Sequence, residues 1–375
     1  MQLNMDTTIL RATAIDEQTC LLPSDIALII PNHSAPVPDG YGAYLISAAD
    51  CDECTRLNRE FVLPEGCASG SFISITYKAG TPEVHLLGTS DLPDRTLFTT
   101  GRCNSNCIMC PYTEKYRLSA KDEQFDILSR YIDLMDAHSD YICITGGEPT
   151  LLKNDFLRLL YKVKSHMPNA MVHILTNGRT FYYNDFVKVY KKARPYRTLL
   201  GIPLHADNAD LHDHITQSQG SFYETLKGID NLYGAGEQIE IRIVTSALNC
   251  ENLPMLAKFI TSRYPQIHHV CFMGLEMMGN SMINRSSVWC SYDDIWPNIR
   301  TATETLIAGG IPVQLYNYPL CMVEEKYHSL YRKSITPSKI EYLDECAICC
   351  RMHECGGFFR TTKVMPDIKV IPYTR

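Results

Sequence analysis

The feature that most constrains the fold is an alternation of strand-like and helix-like segments between residues 96 and 317. Short runs rich in β-branched and aromatic residues recur there, and windows with apolar residues at helical spacing separate them. Alternating β and α segments form parallel sheets with helices outside, so an α/β domain is predicted. The strand-like runs span residues 96–100, 141–145, 171–176, 199–205, 239–246, 269–276 and 311–317.

Two of the intervening helices have predicted starts. One should begin after Ser119, where Asp122 would complete a capping box. Another should begin at Ser221, where Glu224 is the capping partner. Further helices are predicted over residues 156–166, 254–263 and 291–307.

The two flanks of this region differ from it. Residues 1–95 carry Pro- and Gly-rich turns and short β-like runs, which predicts a small β-rich N-terminal domain. In residues 318–375 the periodicity fades and cysteines become dense, which predicts a C-terminal segment organised by metal. Three domains are therefore predicted, over 1–95, 96–317 and 318–375.

Composition excludes several classes of protein. The 375 residues carry a formal charge of −7, so no nucleic-acid partner is expected. No apolar run approaches the ~20 residues of a membrane span, and no signal peptide opens the chain, so a cytoplasmic protein is expected. Cytosolic thiols stay reduced, and the 16 cysteines are therefore more typical of metal sites than of disulfides.

Three cysteines directly follow the first strand of the alternating region. Cys103, Cys107 and Cys110 have the spacing C-x3-C-x2-C. Three thiolates can hold three irons of a [4Fe–4S] cluster and leave the fourth iron open. A zinc site is the alternative, and it would need a fourth ligand.

Two polar motifs follow the next two strands. Gly146, Gly147, Glu148 and Pro149 come after the second, and Thr176, Asn177 and Gly178 end the third. Glycines let a backbone approach a ligand closely, although plain turns are the alternative. Ligand-binding groups of barrel folds lie at the carboxyl ends of the strands, so these motifs should lie near the cysteines.

A second group of cysteines lies near the C-terminus. Cys346, Cys349 and Cys355 have the spacing C-x2-C-x5-C, and Cys321 lies upstream. Four thiolates could close a further cluster, with a zinc knuckle as the alternative and Cys350 as a spare or alternate ligand. Cys20, Cys51, Cys54 and Cys67 are irregularly spaced among acidic residues, which argues against metal.

The loop at 205–214 follows the fourth strand and holds three histidines and three aspartates. Such a loop could bind metal or shuttle protons. The alternative is a polar loop that caps the following helix.

The cysteine, Gly-Gly-Glu-Pro and Thr-Asn-Gly motifs together resemble the radical SAM superfamily. The resemblance implies a partial (β/α)6 barrel in which S-adenosylmethionine (SAM) chelates the open iron and is cleaved reductively to a 5′-deoxyadenosyl radical. Arg242 would suit the SAM carboxylate, with an interior salt bridge to Glu240 as the alternative. The implied SAM contacts are Met109, Gly146, Gly147, Glu148, Pro149, Thr176, Asn177, Arg242 and Glu276.

At closer range, residues 85–360 resemble the radical SAM maturase HxsC of the His-Xaa-Ser system, through stretches such as 144–152, 220–226 and 356–359. This implies modification of a ribosomally made His-Xaa-Ser protein, together with a second radical SAM maturase and an electron donor. The C-terminal cysteines resemble a SPASM or twitch segment. Phe359 stands where a full SPASM segment has its next cysteine, so one auxiliary [4Fe–4S] cluster is expected, held by Cys321, Cys346, Cys349 and Cys355.

Two other functions stay open from the sequence. One is a radical SAM enzyme that acts on a nucleotide or another small molecule in cofactor biosynthesis. The other is a non-catalytic iron–sulfur partner protein. Formation of 5′-deoxyadenosine separates both enzymes from the partner protein.

Overall fold

The computed structural model describes residues 8–14, 22, 25–30, 41–46, 60–65, 67–78, 81–88, 95–120, 122 and 125–374. Most of its strands lie in a six-stranded and an eight-stranded sheet. A two-stranded sheet near the C-terminus pairs Ile340–Glu341 with Phe358–Phe359. The predicted α/β class, with a parallel half-barrel and a β-rich N-terminal region, is confirmed.

The six-stranded sheet lies before residue 89 and has the order β4-β3-β2-β1-β5-β6. Its first four strands pair in parallel, and β5 pairs antiparallel with both β1 and β6. Cys67 packs against its apolar core, whereas Cys20, Cys51 and Cys54 lie outside the described residues. The strands are β1 (Thr8–Ala14), β2 (Ile26–Ile30), β3 (Ala43–Ile46), β4 (Glu60–Val62), β5 (Phe72–Lys78) and β6 (Thr81–Gly88).

The eight-stranded sheet is parallel throughout, with its strands in chain order. Its first and last strands form the two edges, so the curled sheet is a half-barrel. The last strand lies beyond residue 317, and the division into domains at 95 and 317 stays a prediction. The strands are β7 (Arg95–Phe98), β8 (Tyr141–Thr145), β9 (Met171–Leu175), β10 (Arg197–Pro203), β11 (Gln238–Val244), β12 (His269–Met273), β13 (Val313–Tyr316) and β14 (Tyr331–Arg332). The C-terminal pair is β15 and β16.

Helices connect these strands, and the longer helices bury an apolar face. In the third helix, Phe156, Leu159, Leu160 and Val163 recur at helical spacing and are completely buried. No helix in the described part of the chain is long and apolar enough to cross a membrane. The helices are α1 (Glu114–Ser119), α2 (Phe125–Leu134), α3 (Asn154–His166), α4 (Asn184–Ala193), α5 (Ala209–Thr216), α6 (Ser221–Gly234), α7 (Leu253–Arg263), α8 (Asn280–Ile283), α9 (Arg285–Val288) and α10 (Tyr292–Ala308).

The predicted capping box at Asp122 is wrong. Helix α2 begins only at Phe125, and Asp122 is engaged elsewhere. Its carboxylate accepts two hydrogen bonds from Arg102, at 2.7 and 2.6 Å, and one from Thr100 at 2.8 Å. A tertiary contact with the end of the first barrel strand therefore replaces the local cap.

Candidate active site

The three predicted motifs lie side by side at the carboxyl edge of the half-barrel. The cysteine loop, residues 99–113, connects β7 to α1, the Gly-Gly-Glu-Pro turn follows β8, and the Thr-Asn-Gly turn follows β9. These three strands are neighbours in the sheet. Residues as far apart in sequence as Cys103 and Asn177 are thereby brought together.

The paired glycines are required by the approach of two backbones. A Cβ on Gly147 would lie 2.2 Å from the carbonyl oxygen of Arg102, and one on Gly146 would lie 2.5 Å from that of Thr100. The amides of Gly147 and Glu148 donate to the carbonyls of Thr100 and Arg102, at 2.7 and 2.8 Å. Only glycine fits this contact, which fixes the turn after β8 against the entry to the cysteine loop.

Glu148 is completely buried and joins the second motif to the third. Its Oε1 accepts hydrogen bonds from the hydroxyls of Thr150 and Thr176, at 2.6 and 2.7 Å. Its Oε2 accepts from the amide of Asn177 at 2.6 Å. Burial raises the pKa of Glu148. The carboxylate thus serves the turn itself, and the SAM contacts implied for Gly146–Pro149 stay predictions.

The three thiols are partly buried and share one environment. Burial, with the negative charge of its neighbours, raises the pKa of Cys107 to about 12 and that of Cys103 to about 11. Asn177 Nδ2 lies 4.0 Å from the Cys103 sulfur and 2.6 Å from the side-chain oxygen of Asn104. Because burial and neighbouring negative charge disfavour the thiolate forms, the donor set suits a strongly cationic group such as iron.

Among the described residues, no three His, Cys, Asp or Glu side chains converge closely enough to hold one metal ion. In a [4Fe–4S] cluster each cysteine binds a different iron. The thiols therefore need only border a common space.

Arg242 lies on β11 and points into the half-barrel. Its Nη1 donates to Glu240 Oε1 at 2.8 Å, and the other oxygen of Glu240 lies 2.9 Å from His173 Nε2. Burial would raise the pKa of Glu240, but Arg242 and His173 lower it to about 2. The Arg242 guanidinium thus forms the interior salt bridge to Glu240 that was the alternative prediction. Its SAM contact stays a prediction.

The two residues proposed near adenine have other contacts. Met109 is 6% exposed and packs with Ile215, Leu275 and Met277. The carboxylate of Glu276 pairs with Lys339 at 3.0 Å. Met109 lies in the cysteine loop, and Glu276 lies just beyond the end of β12. Their SAM contacts stay predictions.

Residues 209–214 of the predicted His- and Asp-rich loop lie in helix α5 instead, and the segment caps the next helix, as the alternative interpretation predicted. Asp213 accepts hydrogen bonds from the amides of Gly220 and Phe222 at the start of α6, at 2.6 and 2.7 Å. This carboxylate does what was predicted for Glu224, which instead pairs with Arg179. The loop therefore serves the mouth of the half-barrel structurally.

Two of the three histidines in this segment are buried and neutral, and His214 is exposed. His205 and His212 are 2% and 1% exposed. Burial lowers the pKa of His205 to about 3 and that of His212 to about 4.

A cavity in the C-terminal segment, called the auxiliary cavity below, has a volume of about 360 Å³ including its open part. It is lined by Cys321, Cys346, Cys349 and Cys355, the four cysteines predicted to act together. The Cys355 sulfur accepts from the amides of Leu320 and Gly357, at 3.2 and 3.3 Å. Such N–H···S bonds are typical of iron–sulfur ligands.

Two further residues of this segment bear on the predicted cluster. Cys350 is exposed and does not line the cavity. Phe359 pairs with Ile340 in the small sheet and is buried.

Comparison with known families agrees with the geometry. Residues 97–252 match the model of the radical SAM superfamily, and this span contains the cysteine loop and both turns. This segment, which is less than half of the chain, is therefore similar to the radical SAM superfamily.

Two curated relatives illustrate the similarity. A GTP 3′,8-cyclase of Campylobacter jejuni is 31% identical over 182 residues, covering 46% of this chain and 54% of the relative. The antilisterial bacteriocin subtilosin biosynthesis protein AlbA of Bacillus subtilis is 27% identical over 180 residues, covering 46% and 38%. The chain thus spans about half the length of the curated relatives it matches, or less.

Among solved structures, one similar fold is that of Streptococcus suis SuiB bound to precursor peptide SuiA, with a TM-score of 0.48 and 14% sequence identity to this chain. The alignment covers 61% of this chain and 49% of SuiB. At this level the likeness carries no argument about function.

Proposed function

We propose that this protein is a radical SAM enzyme that modifies a ribosomally made peptide or protein of the His-Xaa-Ser type. The observation that carries the enzyme class is the meeting of Cys103, Cys107 and Cys110 with the two turns at one edge of the half-barrel. Similarity to AlbA and the cysteine-lined C-terminal cavity support a peptide substrate.

The residues have separate tasks in this proposal. The three thiols hold a [4Fe–4S] cluster, and the turns after β8 and β9 shape the place for SAM. When bound, the cluster and SAM would supply radical chemistry that removes a hydrogen atom from the substrate, with the initiating electron coming from the external donor. Glu148 keeps both turns in register through its hydrogen bonds.

The four cysteines of the auxiliary cavity hold a second cluster. Their thiols border one space, and the backbone amides of Leu320 and Gly357 already point at the Cys355 sulfur. Because four protein ligands leave no open iron, this cluster suits electron transfer better than substrate ligation. A second maturase and an external electron donor complete the proposed system.

The enzyme class is tested by anaerobic reconstitution, reduction and incubation with SAM. The protein should form 5′-deoxyadenosine, and the Cys107→Ala variant should not. If neither protein forms it, the chain is a non-catalytic iron–sulfur partner instead.

The substrate class is tested by co-expression with a neighbour-encoded His-Xaa-Ser protein and the partner maturase. Oxidative cross-linking by a radical cofactor removes two hydrogens, so the mass of the substrate should fall by about 2 Da per modified site. The same co-expression with Cys107→Ala should leave the mass unchanged.

A nucleotide or other small molecule is the second candidate substrate, because GTP 3′,8-cyclases are among the relatives. It predicts 5′-deoxyadenosine from the reduced protein but no change in the mass of the peptide. Incubation with GTP would then yield a new product in addition to 5′-deoxyadenosine.

A further inference from the structure

One asparagine from a distant part of the chain clamps the backbone of the cysteine loop. Asn280, the first residue of α8, is 7% exposed. Its Nδ2 donates to the carbonyl of Cys107 and to the side-chain oxygen of Asn106, both at 3.1 Å. Its Oδ1 accepts from the amide of Glu114 at 3.3 Å, and its own amide donates to the carbonyl of Cys110 at 2.9 Å.

The neighbours of Asn280 extend this contact. Asn284, one helical turn later, donates from Nδ2 to the carbonyl of Ile108 at 3.1 Å. Gly279 has φ +62°, and a Cβ there would lie 2.2 Å from the carbonyl of Pro111. The segment therefore lies directly against the loop, with no room for another side chain between them.

The opposite side of the loop is bonded to the end of α5. The amides of Asn106 and Ile108 donate to the carbonyls of Thr216 and Ile215, at 3.0 and 2.9 Å. Two amides of the loop thus bond to α5, and three of its carbonyls bond to Asn280 and Asn284. Because these bonds flank Cys107 on both sides, the backbone from which its thiol projects has little freedom.

We propose that Asn280 is a positioning residue for the Cys103, Cys107 and Cys110 thiols. The inference rests on the proposed role of these thiols as cluster ligands. A side-chain amide donates to a carbonyl and accepts from an amide at the same time. Aspartate would keep the acceptor for Glu114 but would turn a second acceptor towards the Cys107 carbonyl, and alanine would lose both bonds.

Partners behind a metal ligand orient it, and their loss typically weakens metal binding by 10–100-fold. A loop freed from Asn280 should therefore hold its iron less firmly, even though all three cysteines remain. The Asn280 side chain bonds the Cys107 carbonyl, the Asn106 side chain and the Glu114 amide, whereas the Asn284 side chain bonds one carbonyl of the loop. Its removal should have the smaller effect.

The test compares anaerobically reconstituted full-length wild type with Asn280→Asp, Asn280→Ala and Asn284→Ala. The rate at which iron is lost to a chelator should rise about tenfold or more in both Asn280 variants and less in Asn284→Ala. The electron paramagnetic resonance change on adding SAM, which identifies the cluster at this loop, should also differ from wild type in both Asn280 variants.

Asn249→Ala is the matched control. Asn249 is completely buried and bonds the Ser246 amide and the carbonyls of His205 and Val244, all outside the cysteine loop. It should keep the wild-type rate and spectrum. If it loses iron as fast as the Asn280 variants, general destabilisation is the cause and the inference is wrong.

The two proposals can fail separately. If wild type and Cys107→Ala show the same iron content and no response to SAM, the proposed function fails, and this inference fails with it. If wild type responds to SAM and the Asn280 variants match it in rate and spectrum, only the positioning role is overturned.

Discussion

Single polar residues hold the candidate site together. Glu148 satisfies hydroxyl and amide donors from two turns, and Asp213 does the same for the start of α6. Both carboxylates therefore serve the backbone of the mouth of the half-barrel. Removing either one should lower the stability of the fold as well as any activity.

The first prediction concerns Glu148. In Glu148→Gln one oxygen becomes an NH2 group that faces a donor, the Asn177 amide or a threonine hydroxyl. A buried donor without an acceptor costs about 1–3 kcal/mol, so the free energy of unfolding should fall by that amount in urea denaturation. The exposed Glu251→Gln should change it by less than about 0.5 kcal/mol. Equal curves for the two variants would contradict this role of Glu148.

The second prediction concerns pH. Folding lowers the pKa of His205 from 6.5 to about 3 and that of His212 to about 4. The unfolded chain therefore binds more protons between about pH 6.5 and 4. Stability is full above this window and falls as the pH falls through it, by up to about 1.4 kcal/mol per pH unit for each histidine.

The variant His205→Leu measures this contribution. In this variant the unfolding free energy should depend less steeply on pH, by up to about 1.4 kcal/mol per pH unit, which is the contribution of one histidine. The carboxylates contribute equally to both proteins. Parallel curves for variant and wild type between about pH 4.5 and 7.5 would show that His205 is not buried and neutral.

Sequence reasoning found the residues of the site that occur in short motifs. The three cysteines and two glycines are close in sequence and chemically distinctive. Asn280 has no such signal, because asparagine is common in loops and its partners lie 166 to 174 residues away. Asp213 was recognised as part of a polar segment, but its bonds to amides seven and nine residues away have no local sequence signal.

Two glycines of α6 make a matched experiment at the scale of an element. Gly228 lies against the turn after β9, where a Cβ would be 2.2 Å from the carbonyl of Gly178. Gly234 ends the same helix, and a Cβ added there would have no atom within 4 Å. Of these two glycines, only Gly228 therefore brings the backbone of the helix against the Thr-Asn-Gly turn.

The third prediction follows from this contact. Gly228→Ala should lower the free energy of unfolding by about 1–3 kcal/mol, because overpacking forces the helix away from the turn. Gly234→Ala should leave it unchanged or raise it by up to about 1 kcal/mol, since alanine is the better helix former. Equal effects in chemical denaturation would exclude the steric cause.

Elements with a strong period were predictable, and short or tertiary features were not. The periodicity of α3 and the apolar runs of β8 to β12 indicated their positions to within a few residues. The start of α2 was misplaced because Asp122 bonds Arg102 instead of the helix. Strand β14 has only two residues, too few for any pattern.

At the scale of the molecule, the N-terminal sheet has an apolar core of its own and also contributes two residues to the main core. Ile9 and Phe72 of the N-terminal sheet belong to the same buried cluster as Leu128 and Ile132 of α2. The ring of Phe72 meets that of Tyr131 edge to face, with centroids 4.7 Å apart. The N-terminal region is therefore packed on the half-barrel through α2, a contact that no sequence pattern indicated.

The fourth prediction concerns the auxiliary cavity, which gives the molecule its second proposed centre. Loss of one ligand in Cys346→Ala should reduce the iron content from about eight to about four atoms per chain, as for one lost [4Fe–4S] cluster. Cys350→Ala should keep all of it, because Cys350 is exposed and outside the cavity. Equal iron in the two variants would contradict the proposed ligand set.

The cysteine loop follows the edge strand β7. Two of its amides bond to the end of α5, which follows β10, and two of its carbonyls bond to Asn280 of α8, which follows β12. It therefore connects one edge of the open sheet to elements that follow strands in the middle of the sheet and beyond. A ligand that binds only the ordered form of this loop stabilises the folded state by mass action, and with it the bonds that join β7 to the elements after β10 and β12. The temperature at which the chain melts should accordingly rise with the fraction of molecules that carry a filled site, so heat resistance would report occupancy.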